Sequence, residues 1–324
     1  MKEYTAFLLH FTSPLHIGNS REDYGSSMQT LGSDGIYAAI TSALAAAGLD
    51  IPEDGNLGCT VSSLFPFCQM EDGDKPLLFF PRPKSVSLPQ MDIGQAKRIK
   101  KVEWLDKESF EVALSGNDPF HDGDVYGKYL TARGQCFTED FMQSAVMQRV
   151  SIIDVSRHDP PTPFYLDRIL FRGRSGLFFL CEGDTKMVEQ ALALLGESGI
   201  GSCRSVGNGF FDYESCKIAF NAPDDAPMAV SLSTYIPTSR EELNSLTSSP
   251  QCAYELLRMG GWCTTIDGKP LRRNPVHGFA AGSVFTHTGS SVKGAIVDQR
   301  PAVSPHPVYR CGRALFLPYK PYTI

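Results

Sequence analysis

Two stretches of helical period, each entered from a run of strand character, limit what this chain can fold into. Tyr4 to Phe11 alternates and is rich in aromatics and leucine, which reads as a strand. Behind it, Ile36, Ala39, Ile40, Ala43, Leu44 and Ala47 recur at helical spacing and share one helix face. Ser33 or Asp34 is expected to cap that helix and Gly48 to end it. The pattern then returns. Gly176–Glu182 reads as a strand, Asp184 as a cap, and Met187, Val188, Ala191, Leu192 and Leu195 as a second apolar helix face. Gly196 is expected to stop this helix, and Phe210–Phe220 to follow as a strand.

The residues between these blocks are less regular. Residues 50–82, with their Pro, Gly and Asp, read as loop with short apolar pieces. Lys97–Lys101, KRIKK, is a basic run, and VEWLDKESFEVAL behind it reads as a short strand and then a helix. Ser115–Thr138 is polar and Gly-rich and is expected to protrude as an insertion, in the manner of a hairpin arm. Arg149–Val155, Pro163–Phe171 and Gly176–Glu182 read as strands, the last two joined as a hairpin through Arg172–Ser175. With the insertion set aside, the order strand, helix, strand, strand, helix, strand is the split βαβ, or ferredoxin-like, arrangement. Residues 223–232 read as a linker. Beyond it a strand (Ala229–Ile236), helices at Arg240–Leu246 and Tyr254–Met259, and a strand near Gly282–Thr286 suggest a second domain. The expected class is α+β. The first domain is placed at 1–221 with an insertion at about 83–148, and the second at 222–324.

A chain of 324 residues, 42% hydrophobic and 20% charged, has ample core for this. No apolar run approaches the ~20 residues of a spanning helix. MKEYTAFLLHF lacks the parts of a signal peptide, so a cytoplasmic location is expected. The nine cysteines form no CxxC pair and show no zinc spacing. Scattered free thiols suit a reducing compartment. No cofactor or metal is expected. The net charge of −6 argues against a generic polyanion binder, yet it is uneven: Leu257–Ile324 carries +7 and the rest −13.

Within this frame GIGSCRSVGNGFF, Gly199–Phe211, stands out. A dinucleotide fingerprint would need glycine where Arg204 stands, and would need a strand before and a helix after. A P-loop fails too: Gly201 and Gly207 are one residue too far apart, and no Lys-Ser/Thr pair follows. What remains is a loop rich in N–H groups, with Ser202, Arg204, Ser205 and Asn208 as side-chain donors. Successive N–H groups can cradle an anion, and arginine can clasp a phosphate, chemistry that suits a nucleic-acid backbone. A tight loop with no ligand is the plain alternative.

Other candidates are sparser. His10 reads as a half-buried sheet residue. His16, in PLHIG, reads as an available loop histidine, able to act as general base or to donate to phosphate. No HExxH or GxSxG occurs, and no carboxylate pair can be named. Lys97–Lys101 would matter if it shared a groove with the glycine loop. Arg272 and Arg273 in PLRRNPVHGFAAGSVF, and Arg310 and Arg313 in HPVYRCGRALFLPY, sit among aromatics. They could stack on bases or simply pack.

FTSPLHIG, SDGIYAAITSAL, PRPKSVSLP, KRIKKVEWLDKESFEVAL, RVSIID, FYLDRILF, ALALLGESGIGSCRSVGNGFF and HPVYRCGRALFLP follow one another in an order that resembles the RAMP superfamily of CRISPR proteins. More closely, they are similar to the fourth Csm subunit of the type III-A effector complex, over nearly the whole chain. The resemblance implies two ferredoxin-like, RRM-like domains with a thumb-like insertion. It implies a non-catalytic subunit that holds the 5′ handle of the guide RNA, the crRNA, between the large polymerase-like subunit and the backbone RAMP subunit. The leading expected RNA contacts are those of the glycine loop, Gly199, Gly201, Arg204, Ser205, Gly207, Asn208 and Gly209, and the first-strand loop Pro14–Gly18 brings His16 into the next rank. Lys100 and Lys101 share that rank, then come Arg272, Arg273 and Arg310. Ser33-Asp34 matches the family's pair at the first helix start. The basic residue that often follows the acid of RVSIID is displaced here: Val155 and Ser156 follow Asp154, and Arg157 comes later. Two alternatives stand beside this. One is a metal-independent endoribonuclease of the same superfamily that processes CRISPR repeat RNA with His16 as general base. The other is the equivalent subunit of a Cmr-type complex.

Overall fold

The computed structural model describes residues 2–18, 24–85, 93–135, 137–151, 161–264, 270–287, 289 and 292–322. The chain is α+β and dominated by sheet. It begins with β1 (Glu3–Phe11), α1 (Ser33–Ala46), β2 (Cys59–Val61), β3 (Phe65–Cys68), β4 (Leu77–Pro81), α2 (Ile93–Lys100), β5 (Trp104–Asp106) and α3 (Lys107–Leu114). Then follow β6 (Gly123–Tyr126), β7 (Tyr129–Ala132), β8 (Met142–Ser151), β9 (Thr162–Phe171), β10 (Gly176–Gly183), α4 (Lys186–Ser198) and β11 (Phe211–Ala219). These build one sheet in the order β11-β1-β10-β3-β4-β5-β7-β6, with β2 also on β10 and the β8–β9 pair outside it.

Successive side chains of a strand point to opposite faces, and β1 uses both. Phe7 and Leu9 enter a core with Ile36, Tyr37, Ile40 and Leu44 of α1 and Val188, Ala191, Leu192 and Leu195 of α4. Tyr4, Ala6 and Leu8 enter a second core with Phe65, Phe80, Phe110 and residues of the C-terminal sheet. That sheet holds β12 (Met228–Ser231), β17 (Val284–Thr286), β18 (Val292–Lys293) and β21 (Ala314–Tyr319), in the order β17-β12-β21-β18. Met228, Val230, Leu315 and Leu317 face Tyr4 and Leu8 across this shared core. The remaining pieces are α5 (Arg240–Leu246) and three short ribbons. These pair β13 (Leu256–Met259) with β16 (Val276–Phe279), β14 (Trp262–Thr264) with β15 (Pro270–Arg272), and β19 (Ile296–Asp298) with β20 (Tyr309–Cys311).

Several expectations need correction. Residues 50–82 are not mainly loop: β2 and β3 supply the strand beside β10. Pro163–Phe171 does not form a hairpin with Gly176–Glu182. It pairs with Met142–Ser151, so β8–β9 is the ribbon outside the sheet. The Ser115–Thr138 segment supplies β6 and β7, and β7 joins the sheet parallel to β5. Gly196 does not stop α4. A Cβ there would lie 2.6 Å from Phe211 O, so this glycine lets the helix approach β11, and Gly199 at φ 81° ends the helix. Tyr254–Met259 gives a strand where a helix was expected. Downstream of residue 222, α5 is the one helix among the described residues, where a complete βαββαβ unit has two. The end of the Arg149–Val155 strand, with Asp154 and Arg157, lies outside the described residues.

Candidate nucleic-acid interface

The glycine loop divides physically into a base and a tip. Its base is laced to the chain that leaves β1. Gly209 N donates to Pro14 O at 2.8 Å, Ser202 N to His16 O at 2.7 Å, and Ile200 N to Gly209 O at 2.9 Å. Three glycines permit this lacing. A Cβ would sit 1.9 Å from Ile200 O at Gly209, 2.5 Å from His16 O at Gly201, and 2.6 Å from Asn208 O at Gly199, all at positive φ. Their backbones therefore approach the chain itself. Asn208 is buried, and its Nδ2 donates to Cys203 O at 3.0 Å, which commits a side chain that was expected to face a ligand.

The tip is different. Cys203 sits in the left-handed region at φ 58° and opens a single turn over Arg204–Val206, which Gly207 closes at φ 86°. A Cβ on Gly207 would meet nothing within 4 Å. Arg204 and Ser205 are exposed, and Val206 is 58% exposed. Arg204 Nη1 makes one long contact, 3.4 Å, to Gly199 O, and among the described residues it has no carboxylate partner. No acceptor among the described residues takes the N–H of Arg204 or Ser205.

His16 is corrected from an available histidine to a buried one, 1% exposed. Leu15 bridges Ile169, which lays the 14–16 segment along β9, and the His16 Nδ1 hydrogen-bonds Asp167 O at 2.7 Å. Arg310 is corrected likewise. It is 8% exposed and reaches into the first unit, where its guanidinium pairs with Asp34 and donates to Gln299 Oε1 at 3.0 Å. Asp34 Oδ1 also accepts from Thr234 Oγ1 at 2.9 Å, and Ser33 Oγ from Thr234 N at 2.8 Å. So Ser33-Asp34 does not cap α1, whose N-cap is Gly32. The pair fastens α1 to the C-terminal sheet. Arg273 donates from Nε and Nη2 to Trp262 O at 2.9 and 2.7 Å. Burial, and then the nearby Arg310 charge, lower its pKa below the usual arginine value. Arg272, on β15, is exposed.

Lys100 and Lys101 are exposed at the end of α2, before β5. From β11 to β5 the sheet counts five strand steps, about 24 Å at the usual spacing. The lysines also lie at the opposite ends of the strands, beside Pro81 and Trp104, whereas the glycine loop adjoins Phe11 and Phe211. The two do not share one groove. Clefts of about 720 and 570 Å³ flank α3, but Asp74, Glu108, Glu111, Asp118 and Asp122 line them, the wrong charge for a phosphate chain. Among the described residues no group of three His, Cys, Asp or Glu is placed to hold a metal ion.

Aromatic stacking on an open sheet face is one usual route to RNA. Here that face of β1 carries Tyr4, Ala6 and Leu8 and is sealed by the C-terminal sheet. Loops are left as the available surface. Sequence reading missed the bracing role of Asp167, whose buried carboxylate accepts from Ser27 N at 3.0 Å and Ser144 Oγ at 2.5 Å. A lone acid inside a strand gives no sequence signal for that.

Residues 224–319 match the family model described as the CRISPR Csm4 C-terminal domain. The chain is 28% identical over 219 residues to the CRISPR system Cms protein Csm4 of Thermococcus onnurineus (strain NA1), a stretch covering 63% of this chain and 64% of that protein. Over its whole length it shares its fold with two solved chains. One is in a Csm1-Csm4 cassette in complex with cA4 (TM-score 0.60, 19% identity, 100% of both chains covered). The other is in a Csm3-Csm4 subcomplex of the type III-A CRISPR-Cas interference complex (TM-score 0.64, 14% identity, 99% of this chain and 100% of that one). The fold is that of the Csm4 chains in these two CRISPR assemblies. In sequence, the chain is similar to Csm4 proteins, through the 224–319 match and through the 219-residue stretch.

Proposed function

We propose that this chain is a non-catalytic, crRNA-binding scaffold of a type III-A Csm complex, holding the 5′ handle between a Csm1-like large subunit and a Csm3-like backbone subunit. One observation carries the reading: the Arg204–Gly207 tip is exposed, its guanidinium has no carboxylate and the N–H groups of Arg204 and Ser205 no acceptor among the described residues, and its base is laced to the chain by hydrogen bonds. Backbone phosphates supply much of the affinity for RNA, and charge-assisted hydrogen bonds from arginine are among the stronger ones available. Preorganisation of the base lowers the ordering cost of binding. Similarity to Csm4 proteins, and the Csm1 and Csm3 partners named for the solved relatives, support the proposed neighbours. The order β11-β1-β10-β3 around α1 and α4 supports a ferredoxin-like first domain at 1–221, with 222–324 as a more degenerate second one.

The endoribonuclease alternative loses its named base, because His16 is buried and its Nδ1 is committed to Asp167 O. The test uses the purified full chain and a fluorescein-labelled single-stranded RNA bearing a repeat-derived 5′ handle. Arg204→Glu is expected to weaken binding at least tenfold in fluorescence anisotropy with unchanged circular dichroism. Unchanged affinity overturns the assignment. Sequence-specific cleavage in EDTA that is lost in His16→Ala would replace the scaffold reading with the nuclease.

A further inference from the structure

The β8–β9 ribbon holds two arginines whose charge no carboxylate among the described residues compensates. In its register Ala145 faces Arg168 and Arg149 faces Phe164. Directly paired residues share a face, so Arg149, Arg168 and Phe164 lie together with Met147 and Leu166 between them. Arg168 is 9% exposed. Among the described residues neither arginine has a carboxylate partner, and the Nε of each is buried without a hydrogen-bond partner. The Arg168 Nη2 rests against Met147 Sδ, which carries no charge. Burial, and then the Arg149 charge, lower the Arg168 pKa. Buried charges in proteins are normally paired, so two like charges left together mark a place where an anion is stabilising.

An aromatic step stands beside them. Tyr24 is 40% exposed, its ring centroid 5.6 Å from Phe164 and 6.3 Å from His16. Its backbone is braced: Asp167 N donates to Tyr24 O at 2.8 Å, and Asp167 also accepts from Ser27 N. The glycine loop lies close by. The 14–16 segment has that loop on one edge and β9 at Ile169 on the other, so the two are separated by about 10 Å at strand spacing.

We propose that Arg149 and Arg168 seat a backbone phosphate of single-stranded RNA whose neighbouring base stacks on Tyr24. This rests on the RNA-binding reading above and extends its track from the Arg204 tip across the Pro14–His16 segment to the ribbon root. An acidic protein surface would also neutralise two arginines. The exposed aromatic ring beside them, on the side toward the glycine-loop tip, favours a nucleotide, because a base has a face to stack.

The experiment uses the full chain with 12-nucleotide single-stranded RNAs carrying 2-aminopurine at successive positions. The double variant Arg149→Gln/Arg168→Gln is expected to bind about tenfold more weakly near physiological salt, with a log-log salt slope reduced by about 0.7 for the one phosphate no longer neutralised. Tyr24→Ala is expected to bind about tenfold more weakly and to lose fluorescence quenching at one position, while Tyr24→Phe keeps both. Arg168 is buried, so Arg149→Gln alone serves if the double variant loses its thermal transition; it is expected to bind about threefold more weakly, with a smaller fall in slope than the double variant. If these variants bind as wild type while Arg204→Glu does not, the seat is overturned and the RNA reading stands. If the wild-type chain binds none of the probes, both fall. If RNA affinity is kept but co-purification with Csm1 or Csm3 is lost, the arginines belong to a protein interface and the proposal is overturned.

Discussion

The seam between α1 and the C-terminal sheet and the tip of the glycine loop hold the same kinds of residue to opposite effect. At the seam Ser33, Asp34, Thr234 and Arg310 are buried and each meets a partner on the other side. At the tip Arg204 and Ser205 are exposed and almost without partners. Both sites contain a serine and an arginine within a few residues of a glycine. A residue type thus says what chemistry is available, and the tertiary neighbours say whether the chain itself uses it. The seam works for stability and the tip is free for a ligand.

That contrast gives an ordered set of tests. Asp34→Ala should cost most in stability, about 3–5 kcal/mol in urea unfolding, because it strands the buried Arg310 charge. Its effect on RNA affinity in the still-folded fraction should be small; a large one would tie the seam to binding and break the contrast. Gly209→Ala should follow, at about 2–4 kcal/mol, since a Cβ would overlap Ile200 O and φ is positive. Gly207→Ala, at the tip of the same loop, should cost about 1–2 kcal/mol, the left-handed penalty alone, because its Cβ meets open space. Equal costs at the two glycines would mean the base is less tightly held than its hydrogen bonds indicate. Lys100→Ala/Lys101→Ala should leave stability unchanged within about 0.5 kcal/mol. It should also leave handle-RNA affinity within about threefold, being remote from the loop; a tenfold loss by anisotropy would place RNA across the whole sheet.

Legibility in the sequence followed the range of the forces involved. α1, α3, β1, β10 and β11 were readable because period-two and period-3.6 patterns record local geometry. β2 and β3 were hidden. CTV and FPFC are short and buried outright, and FPFC contains a proline, so they show no alternation to detect. Gly196 looked like a stop because glycine ends many helices, yet here it marks close contact with Phe211. Arg204 and Ser205 were readable as donors, and their exposure agrees with that. His16, Asn208 and Arg310 were equally plausible by type and turned out to be committed internally.

By itself the sequence determined that α1, α3, α4 and α5 are helical, where β1, β10 and β11 lie, and that one glycine-rich loop joins α4 to β11. Those are properties of neighbouring residues and of backbone stereochemistry, which act over a few ångströms along the chain. The tertiary structure alone decided that β9 leaves the sheet for β8 and that the open face of β1 is closed by the C-terminal strands. It also decided which arginines keep their charge available. The β8–β9 pairing joins residues 11 to 29 positions apart, the others depend on contacts more than a hundred positions apart or on burial, and neither partner choice nor burial is written in local pattern.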